Sequence, residues 1–168
     1  MRLFFALWPD ADVATRLEYV AAQLSVSSPG RLVHAKNYHV TLAFIGEVAE
    51  SKLPVLRAIG ESLRAPCCRI AFDSLEFWPE SRVVVAAATE IPPGLYSLWS
   101  QLHEAAGLPE VRLRAHVTLA RKMVQAPVLQ AMSQVSWQAT SFSLVRSEMG
   151  GRESAYTVVD TWSLLDET

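Results

Sequence analysis

The alternation of apolar and polar stretches predicts a strand and then a helix at the start of the chain. Arg2 to Trp8 is almost wholly apolar or aromatic, which predicts a buried strand. Pro9-Asp10 turns the chain, and Asp10 is placed to cap a helix that runs to about Ser25. The apolar residues of that helix recur at helical spacing: Val13, Leu17, Val20 and Leu24.

Turn residues divide the rest of the chain into further elements. We predict strands at 31–34, 38–45, 70–77 (with one bulge), 82–89 and 112–122, and a closing hairpin of 136–147 with 155–165. Apolar faces predict helices over Leu53 to Leu63 and Leu95 to Ala105, and a short helix over 127–132. Turns are predicted at 27–30, at Gly46 and at 149–152.

The order of these elements predicts the fold class. Strands follow one another directly as well as flanking helices, which favours an α+β fold with mostly antiparallel sheets over a doubly wound one. No linker or low-complexity tract separates the two halves. We therefore expect residues 1–168 to form a single domain of two lobes that share one continuous core.

The composition excludes several classes of protein. An apolar content of 51% with 19% charged residues excludes disorder, and a net charge of −2 gives no general attraction to polyanions. The opening apolar run, Leu3 to Trp8, is too short for a signal or membrane segment, so we expect a cytoplasmic protein without membrane contact. Cys67 and Cys68 are adjacent, which suits neither an ordinary disulfide nor a zinc site, and we interpret them as reduced thiols.

One stretch of the chain occurs twice. His39-Val40-Thr41-Leu42-Ala43 returns as His116-Val117-Thr118-Leu119-Ala120. An identical pentamer has odds on the order of a per cent of arising by chance in a chain of this size, so the repeat is meaningful. One copy lies in each half, which suggests two similar lobes that each present a copy to a shared cleft.

Each copy places an imidazole beside a hydroxyl. On a strand, residues i and i+2 point to the same face, so His39 lies beside Thr41 and His116 beside Thr118. Two imidazoles facing each other across a cleft can act as general acid and general base, and the hydroxyls can hold oxygens of the reacting group. This set suits a negatively charged phosphoryl centre, with no metal and no cofactor.

The surroundings of the two pentamers carry a resemblance to a known family. The first stands within Asn37-Tyr38-His39-Val40-Thr41-Leu42-Ala43-Phe44-Ile45-Gly46, and the second within Arg114-Ala115-His116-Val117-Thr118-Leu119-Ala120-Arg121. These motifs resemble the 2H phosphoesterase superfamily, and within it the bacterial and archaeal RNA 2′,3′-cyclic phosphodiesterases, also called 2′-5′ RNA ligases. The opening Arg2-Leu3-Phe4-Phe5-Ala6-Leu7 and Tyr156 in the closing hairpin are also similar.

The resemblance implies a fold and an activity. The fold is bilobed, with two mostly antiparallel sheets related by a pseudo-two-fold axis, helices outside and the active cleft between the sheets. The activity is metal-independent hydrolysis of a 2′,3′-cyclic phosphate on RNA or a nucleotide to a 2′-phosphomonoester, with RNA ligation as a possible side activity. His39 would donate a proton to the leaving 3′ oxygen, His116 would accept one from water, and Thr41 and Thr118 would hold phosphate oxygens.

The resemblance also places Phe44 and Arg121 at the substrate. Each follows its histidine by five residues. An odd spacing puts a side chain on the opposite face of a regular strand, so both reach the site only if the strand ends or bulges there.

Several further residues are candidates for substrate contact. Arg112 and Arg114 share the face of His116 by parity, and either can neutralise RNA phosphates or form a solvated strand face. Tyr38, Phe44 and Trp78 are candidate stacking surfaces for bases, although the sequence alone favours a core position for Phe44. His34 could line the cleft, although a structural role is favoured, and His103 is predicted to be a solvated surface group on its helix. Core positions are predicted for Trp99, Trp137, Trp162 and Tyr156, the last of which could also reach the cleft.

Three other interpretations stay open. A related 2H enzyme would act on another cyclic or 2′-5′-linked nucleotide. A binding module would hold phosphorylated RNA ends without turnover. A metal site formed by the two histidines is the least favoured of the three, because no carboxylate or thiolate completes the ligand set. Nothing in the sequence demands more than a monomer.

Overall fold

This computed structural model describes residues 1–24, 30–109, 111–149 and 154–166. The described residues form ten strands, three α-helices and two short 3₁₀ helices. The strands are β1 (Arg2–Leu7), β2 (Arg31–Leu32), β3 (Val40–Glu47), β4 (Cys68–Phe72), β5 (Ser74–Trp78), β6 (Val83–Ala87), β7 (His116–Arg121), β8 (Val135–Ala139), β9 (Ser141–Met149) and β10 (Ser154–Ser163). The helices are α1 (Ala11–Leu24), α2 (Leu53–Ser62) and α3 (Pro93–Ala105), with 3₁₀ helices at Ala35–Asn37 and Glu50–Lys52.

The strands assemble into three sheets in the described part of the chain. One has the order β10-β9-β1-β3, the second has the order β2-β7-β6-β5, and β4 and β8 form a separate pair. Every pairing between these strands is antiparallel. The predicted α+β class is therefore confirmed, with a two-stranded sheet added to the two sheets that the resemblance implied.

Each four-stranded sheet has one face in a common core. In β1, Leu3, Phe5 and Leu7 enter that core, while Phe4 and Ala6 point to the opposite face. In the second sheet, the core face is formed by Val84 and Ala86 of β6 and by Val117 and Leu119 of β7. One cluster of buried residues thus joins both sheets and leaves the second face of each available for a site.

Local sequence explains where the helices begin and end. The Val13 backbone N–H donates to Asp10 Oδ1 at 2.9 Å, which is the predicted cap of α1. Pro93 occupies the first turn of α3, where its missing N–H costs nothing. Gly107 follows α3 at φ +62°, a left-handed conformation that glycine adopts without strain.

Two predicted strands are each divided in the structure. The change of phase within 70–77 is not a bulge, because Asp73 separates β4 from β5 and these strands lie in different sheets. The Asp73 carboxylate accepts hydrogen bonds from the Thr89 N–H at 3.0 Å and the Thr89 hydroxyl at 2.6 Å, which fixes this corner. Residues 136–147 likewise span β8 and β9, and only β9 pairs with β10 in the predicted hairpin.

Other local predictions are wrong. Residues 127–132 form no helix, as expected of a segment too short to offset the cost of helix nucleation. Gly46 does not end β3 but lies within it at φ +84°. Ala105, which was assigned to the apolar face of its helix, is exposed. The strand predicted over 112–122 begins only at His116. The turns predicted over 27–29 and 150–152 lie outside the described residues.

None of the helices within the described ranges combines the length and the apolar character needed to cross a bilayer.

Candidate active site

His39 lies in a cage of aromatic rings. Its Nδ1 is 2.7 Å from the Asn37 carbonyl oxygen, which only accepts, so Nδ1 carries the proton and Nε2 is left for other partners. The Trp8 ring stacks on the imidazole at 5.1 Å with an interplanar angle of 16°. The rings of Phe4 and Tyr156 each lie at 5.1 Å. The cage and the hydrogen bond together fix the orientation of the imidazole.

His116 repeats the hydrogen bond but has different neighbours. Its Nδ1 is 2.6 Å from the Arg114 carbonyl oxygen, so here too Nε2 is left for chemistry. The Trp78 ring lies 4.5 Å from the imidazole, and the Arg114 guanidinium lies 4.0 Å above the Trp78 ring. Glu76 Oε2 accepts from Trp78 Nε1 at 2.7 Å and from Arg114 at 2.6 Å. The Glu76 carboxylate therefore holds the Trp78 ring in position beside His116.

A bulge in β3 brings Phe44 to the face of the first histidine. Residues that pair across antiparallel strands share a face, and Ala6 pairs with Thr41 while Phe4 pairs with Phe44. The register shifts at Leu42, which has no partner in β1. Phe44 is 51% exposed, so the core position that the sequence favoured for it is wrong.

An equivalent bulge in β7 acts on Arg121. Ala87 pairs with His116 and Val85 with Thr118, but the next pair is Val84 with Ala120, so Leu119 is the extra residue. The shift returns Arg121 to the face of the histidine and threonine. The bulges that the odd spacing required are thus present in both strands.

Burial and nearby positive charges lower the pKa of both histidines. The pKa of His39 is lowered to about 4, chiefly by burial, and the positive charges of Arg121 and His116 contribute. Burial also lowers the pKa of His116, with contributions from Arg114 and Arg121, while the charge of Glu76 raises it. Arg121 thus acts on both imidazoles, and both are neutral near pH 7 in the free protein.

A cavity of about 360 Å³ opens beside these residues. Its wall includes Thr41, Phe44, Trp78 and His116. Its size falls at the lower end of the range for small-molecule sites, and its wall combines apolar surface with a few polar groups. The cavity therefore suits a small ligand held against His116.

The other sequence candidates have different outcomes. Tyr38 is 1% exposed, so it offers no stacking surface, and burial raises the pKa of its hydroxyl to about 12. Arg112 is exposed and lines the cavity, whereas Arg114 forms the ion pair with Glu76. His34 is exposed and its Nδ1 accepts from the Lys36 N–H.

His103 is not the solvated group that the sequence predicted. It is only partly exposed and lies on α3 against Trp99, with the ring centroids 4.3 Å apart. Its Nε2 lies 3.1 Å from the carbonyl oxygen of Leu42, the bulge residue of β3, and its Nδ1 lies 3.3 Å from that of Pro109. Its position near the cleft follows from the packing of α3 on β3, which helical periodicity does not reveal.

Sequence reasoning missed Phe4, Trp8 and Glu76. Phe4 and Trp8 sit at alternate positions from β1 onward, which was the available signal that they share a face. Glu76 alternates in the same way with Trp78 on β5. Which strand lies beside each of them depends on sheet order, and that order is not local information.

The chemistry of these groups is that of acid–base catalysis on an anionic ligand. Two imidazoles offer Nε2 atoms, two hydroxyls can donate to oxygens, and one guanidinium supplies positive charge. Within the described residues, no group of three or more His, Cys, Asp or Glu side chains is arranged to hold a metal ion.

Comparison with known proteins gives consistent matches. Residues 7–85 match the family model described as LigT-like phosphoesterase. The RNA 2′,3′-cyclic phosphodiesterase of Escherichia coli K12 is 30% identical over 97% of this chain and 96% of its own length. The Thermus thermophilus protein of the same name is 30% identical over 99% of this chain and 92% of its own length. The crystal structure of E. coli LigT complexed with 3′-AMP superposes with a TM-score of 0.88 at 31% identity, covering 98% of each chain.

Proposed function

The chain belongs to the LigT-like phosphoesterase family, and from that premise we propose that it is an RNA 2′,3′-cyclic phosphodiesterase that hydrolyses the terminal cyclic phosphate to a 2′-phosphomonoester. Relatives with this name match nearly the whole chain. In this structure, the proposal rests on two imidazoles whose orientations are each fixed by a hydrogen bond to the backbone. His39 and His116 each tie Nδ1 to the carbonyl two residues earlier, and Arg121 influences both rings.

The proposed reaction divides proton transfer between the histidines. Water attacks phosphorus opposite the 3′ oxygen while His116 Nε2 takes a proton from the water. The bond between phosphorus and the 3′ oxygen breaks, its electron pair stays on that oxygen, and His39 Nε2 donates the proton that completes the 3′ hydroxyl. The two protons are then exchanged with solvent, which restores both rings.

The remaining groups hold the phosphate. Thr41 and Thr118 donate to its non-bridging oxygens, and the Arg121 guanidinium balances its negative charge. Phe44 supports the sugar or the base of the terminal nucleotide, for which its exposed ring is suited.

The lowered pKa of His39 bears on its role as proton donor. With a pKa of about 4 in the free protein, the ring is neutral near pH 7. A bound phosphodiester carries a negative charge that favours the imidazolium, so the substrate itself promotes the protonated state that the reaction needs. The acid is therefore formed on substrate binding rather than held in advance.

The proposal includes the organisation of the protein. Residues 1–168 act as one domain of two lobes, supported by the cluster of buried residues that joins both sheets. The enzyme is a monomer in the cytoplasm, and Cys67 and Cys68, which are buried and form no disulfide within the described residues, suit a reducing compartment.

The decisive experiment offers the protein a panel of 2′,3′- and 3′,5′-cyclic nucleotides in the presence of a chelator. Phosphorus NMR then reads the position of the phosphate in the product. We expect 2′-monophosphates from the 2′,3′-cyclic nucleotides alone. Stoichiometric binding without product would instead indicate a binding module, loss of activity in chelator would indicate a metal site, and turnover of other substrates only would indicate a related 2H enzyme.

A further inference from the structure

A second cavity along α3 continues the cavity of about 360 Å³, which is called the catalytic cavity from here on because Thr41 and His116 line it. It has a volume of about 760 Å³, twice that of the first. The two cavities share six wall residues: Trp99, His103, Leu108, Val111, Arg112 and Leu113. They are therefore parts of one groove that leaves the catalytic site between α3 and the segment after it.

The α3 side of this groove carries a row of rings. Tyr96, Trp99 and His103 follow one another at helical spacing on one face. The Tyr96 and Trp99 rings are 5.8 Å apart, and the Trp99 and His103 rings are 4.3 Å apart. The row begins at the Leu42 carbonyl beside the catalytic cavity and ends at Tyr96, whose side chain is 56% exposed.

The opposite wall supplies positive charge. Arg112 is exposed and lines both cavities, so its side chain is within reach of a ligand that extends from one to the other. Among the described residues that line the larger cavity, Glu104 carries a negative charge and Ser100 a hydroxyl. Aromatic surface beside a cation is the combination that binds single-stranded nucleic acid through stacking and phosphate contact.

From these features we infer that the groove is a subsite for the nucleotides immediately 5′ of the cyclic phosphate in a single-stranded RNA, with Tyr96 as a stacking platform and Arg112 as a phosphate contact. The inference rests on the proposed function, because the terminal nucleotide must occupy the catalytic cavity for the chain to enter the groove. The RNA continues in the 5′ direction from that nucleotide, and the continuous cavity provides its path.

The test compares two substrates in wild type and variants. One substrate is adenosine 2′,3′-cyclic phosphate, which fills only the catalytic cavity, and the other is a tetranucleotide ending in the same group. We expect Tyr96→Ala to lower kcat/KM for the tetranucleotide about tenfold and to leave kcat/KM for the mononucleotide within about twofold. Arg112 lines both cavities, so Arg112→Ala should lower kcat/KM for both substrates, and by several-fold more for the tetranucleotide. Tyr96→Phe should retain the wild-type preference, since it retains the ring.

Matched controls come from exposed residues on other elements. Tyr19→Ala on α1 and Arg69→Ala on β4 remove the same chemical groups outside the groove, and neither should change the ratio between the substrates. Arg112→Ala should also reduce the slope of log KM against log salt for the tetranucleotide by about 0.7, the value for one contact to a single strand.

The possible results separate this inference from the proposed function. If the variants affect both substrates equally, or if wild type shows no preference for the tetranucleotide, the subsite is wrong and the activity stands. If wild type hydrolyses neither substrate, the proposed function fails. Binding of the labelled tetranucleotide, measured by fluorescence anisotropy, then tests whether the groove is a subsite for RNA. Binding that Tyr96→Ala and Arg112→Ala weaken would support the subsite, while unchanged or absent binding would overturn it.

Discussion

Leu42 and Leu119 occupy equivalent bulges, each at the fourth position of its pentamer. Each bulge turns the residue that follows the pentamer, Phe44 or Arg121, onto the face of the preceding histidine. The two four-stranded sheets thus present an imidazole, a hydroxyl and one further side chain in the same local geometry. They differ in that side chain, which is a ring in one sheet and a guanidinium in the other.

The β7 bulge gives the first prediction. Arg121→Gln removes the cation that influences both histidines, and we expect kcat/KM to fall for every substrate. A hydrogen bond to a charged group contributes about 1.5–3 kcal/mol, which is roughly 10- to 100-fold. Steady-state kinetics measure the loss, and Lys122→Gln at the next, exposed position should retain wild-type kinetics. Equal losses in both variants would mean that general positive charge matters rather than the bulge.

The histidines give the second prediction. His39→Ala and His116→Ala should each lower kcat by about 10²–10⁴, since each removes one proton transfer. His34→Ala removes an exposed imidazole and should leave kcat unchanged. Circular dichroism confirms that each variant is folded. Activity above about a tenth of wild type in either His39→Ala or His116→Ala would rule out the assigned acid–base pair.

The threonines are tested through their hydroxyls. Thr41→Val and Thr118→Val keep the shape of the side chain and remove its donor, which should cost about 1.5–3 kcal/mol of transition-state stabilisation. Thr→Ser at either position keeps the hydroxyl and should restore most of the activity. The ratio of kcat/KM values between the two substitutions isolates the hydroxyl. Normal kinetics in the valine variants would remove the threonines from the mechanism.

The sequence was sufficient for features that depend on neighbours along the chain. The strands β3 and β7 that carry the repeated motif, the cap at Asp10 and the burial of β6 all follow from local pattern and were confirmed in the fold. The pairing of β9 with β10 was also predictable, because consecutive antiparallel strands pair across a short connection.

Features that depend on sheet order could not be read from the sequence. The phase change near Asp73 looked like a bulge, but it marks the passage from one sheet to another. Phe44 looked like a core residue because the bulge that exposes it leaves no local mark in an apolar strand. The rings around His39 come from β1, from Trp8 just after it and from β10, and only the long-range order of the sheet brings these elements and β3 together.

The shifted pKa values give a prediction for pH dependence. The reaction needs one proton on the pair of histidines, and in the free enzyme that form lies between the pKa of His39, about 4, and the lowered pKa of His116. We expect kcat/KM to peak on the acid side of pH 6.5 and to fall at higher pH. Because bound phosphate favours protonation, the alkaline limb of kcat should lie at higher pH than that of kcat/KM.

Arg121→Gln also tests the cause of this profile. Its charge lowers the pKa of both histidines, so its removal should shift the alkaline limb of kcat/KM to higher pH. Lys122→Gln should leave the alkaline limb of kcat/KM at the same pH as in wild type. A wild-type limb at about pH 7 or above would show that the histidines are not shifted in the free enzyme.

His103 gives the last prediction, because it links α3 to the bulge that positions the first motif. Its Nε2 faces the Leu42 carbonyl and its Nδ1 faces the Pro109 carbonyl, while its ring packs on Trp99. Both oxygens only accept, so a neutral ring can donate to one of them and an imidazolium to both. The contact restrains the backbone next to Thr41 and Phe44 without touching the reacting groups.

His103→Phe keeps a ring against Trp99 but removes both imidazole nitrogens from the two carbonyl oxygens. We expect the free energy of unfolding in urea to fall by about 1–2 kcal/mol, the cost of one or two lost hydrogen bonds. Since Thr41 and Phe44 adjoin the released bulge, kcat should also fall several-fold, and His103→Gln, which keeps one N–H donor, should recover part of it. If a variant loses stability while kcat is unchanged, His103 contributes only to the packing of α3. A positioning role instead requires that stability and kcat both fall in His103→Phe and both recover in His103→Gln.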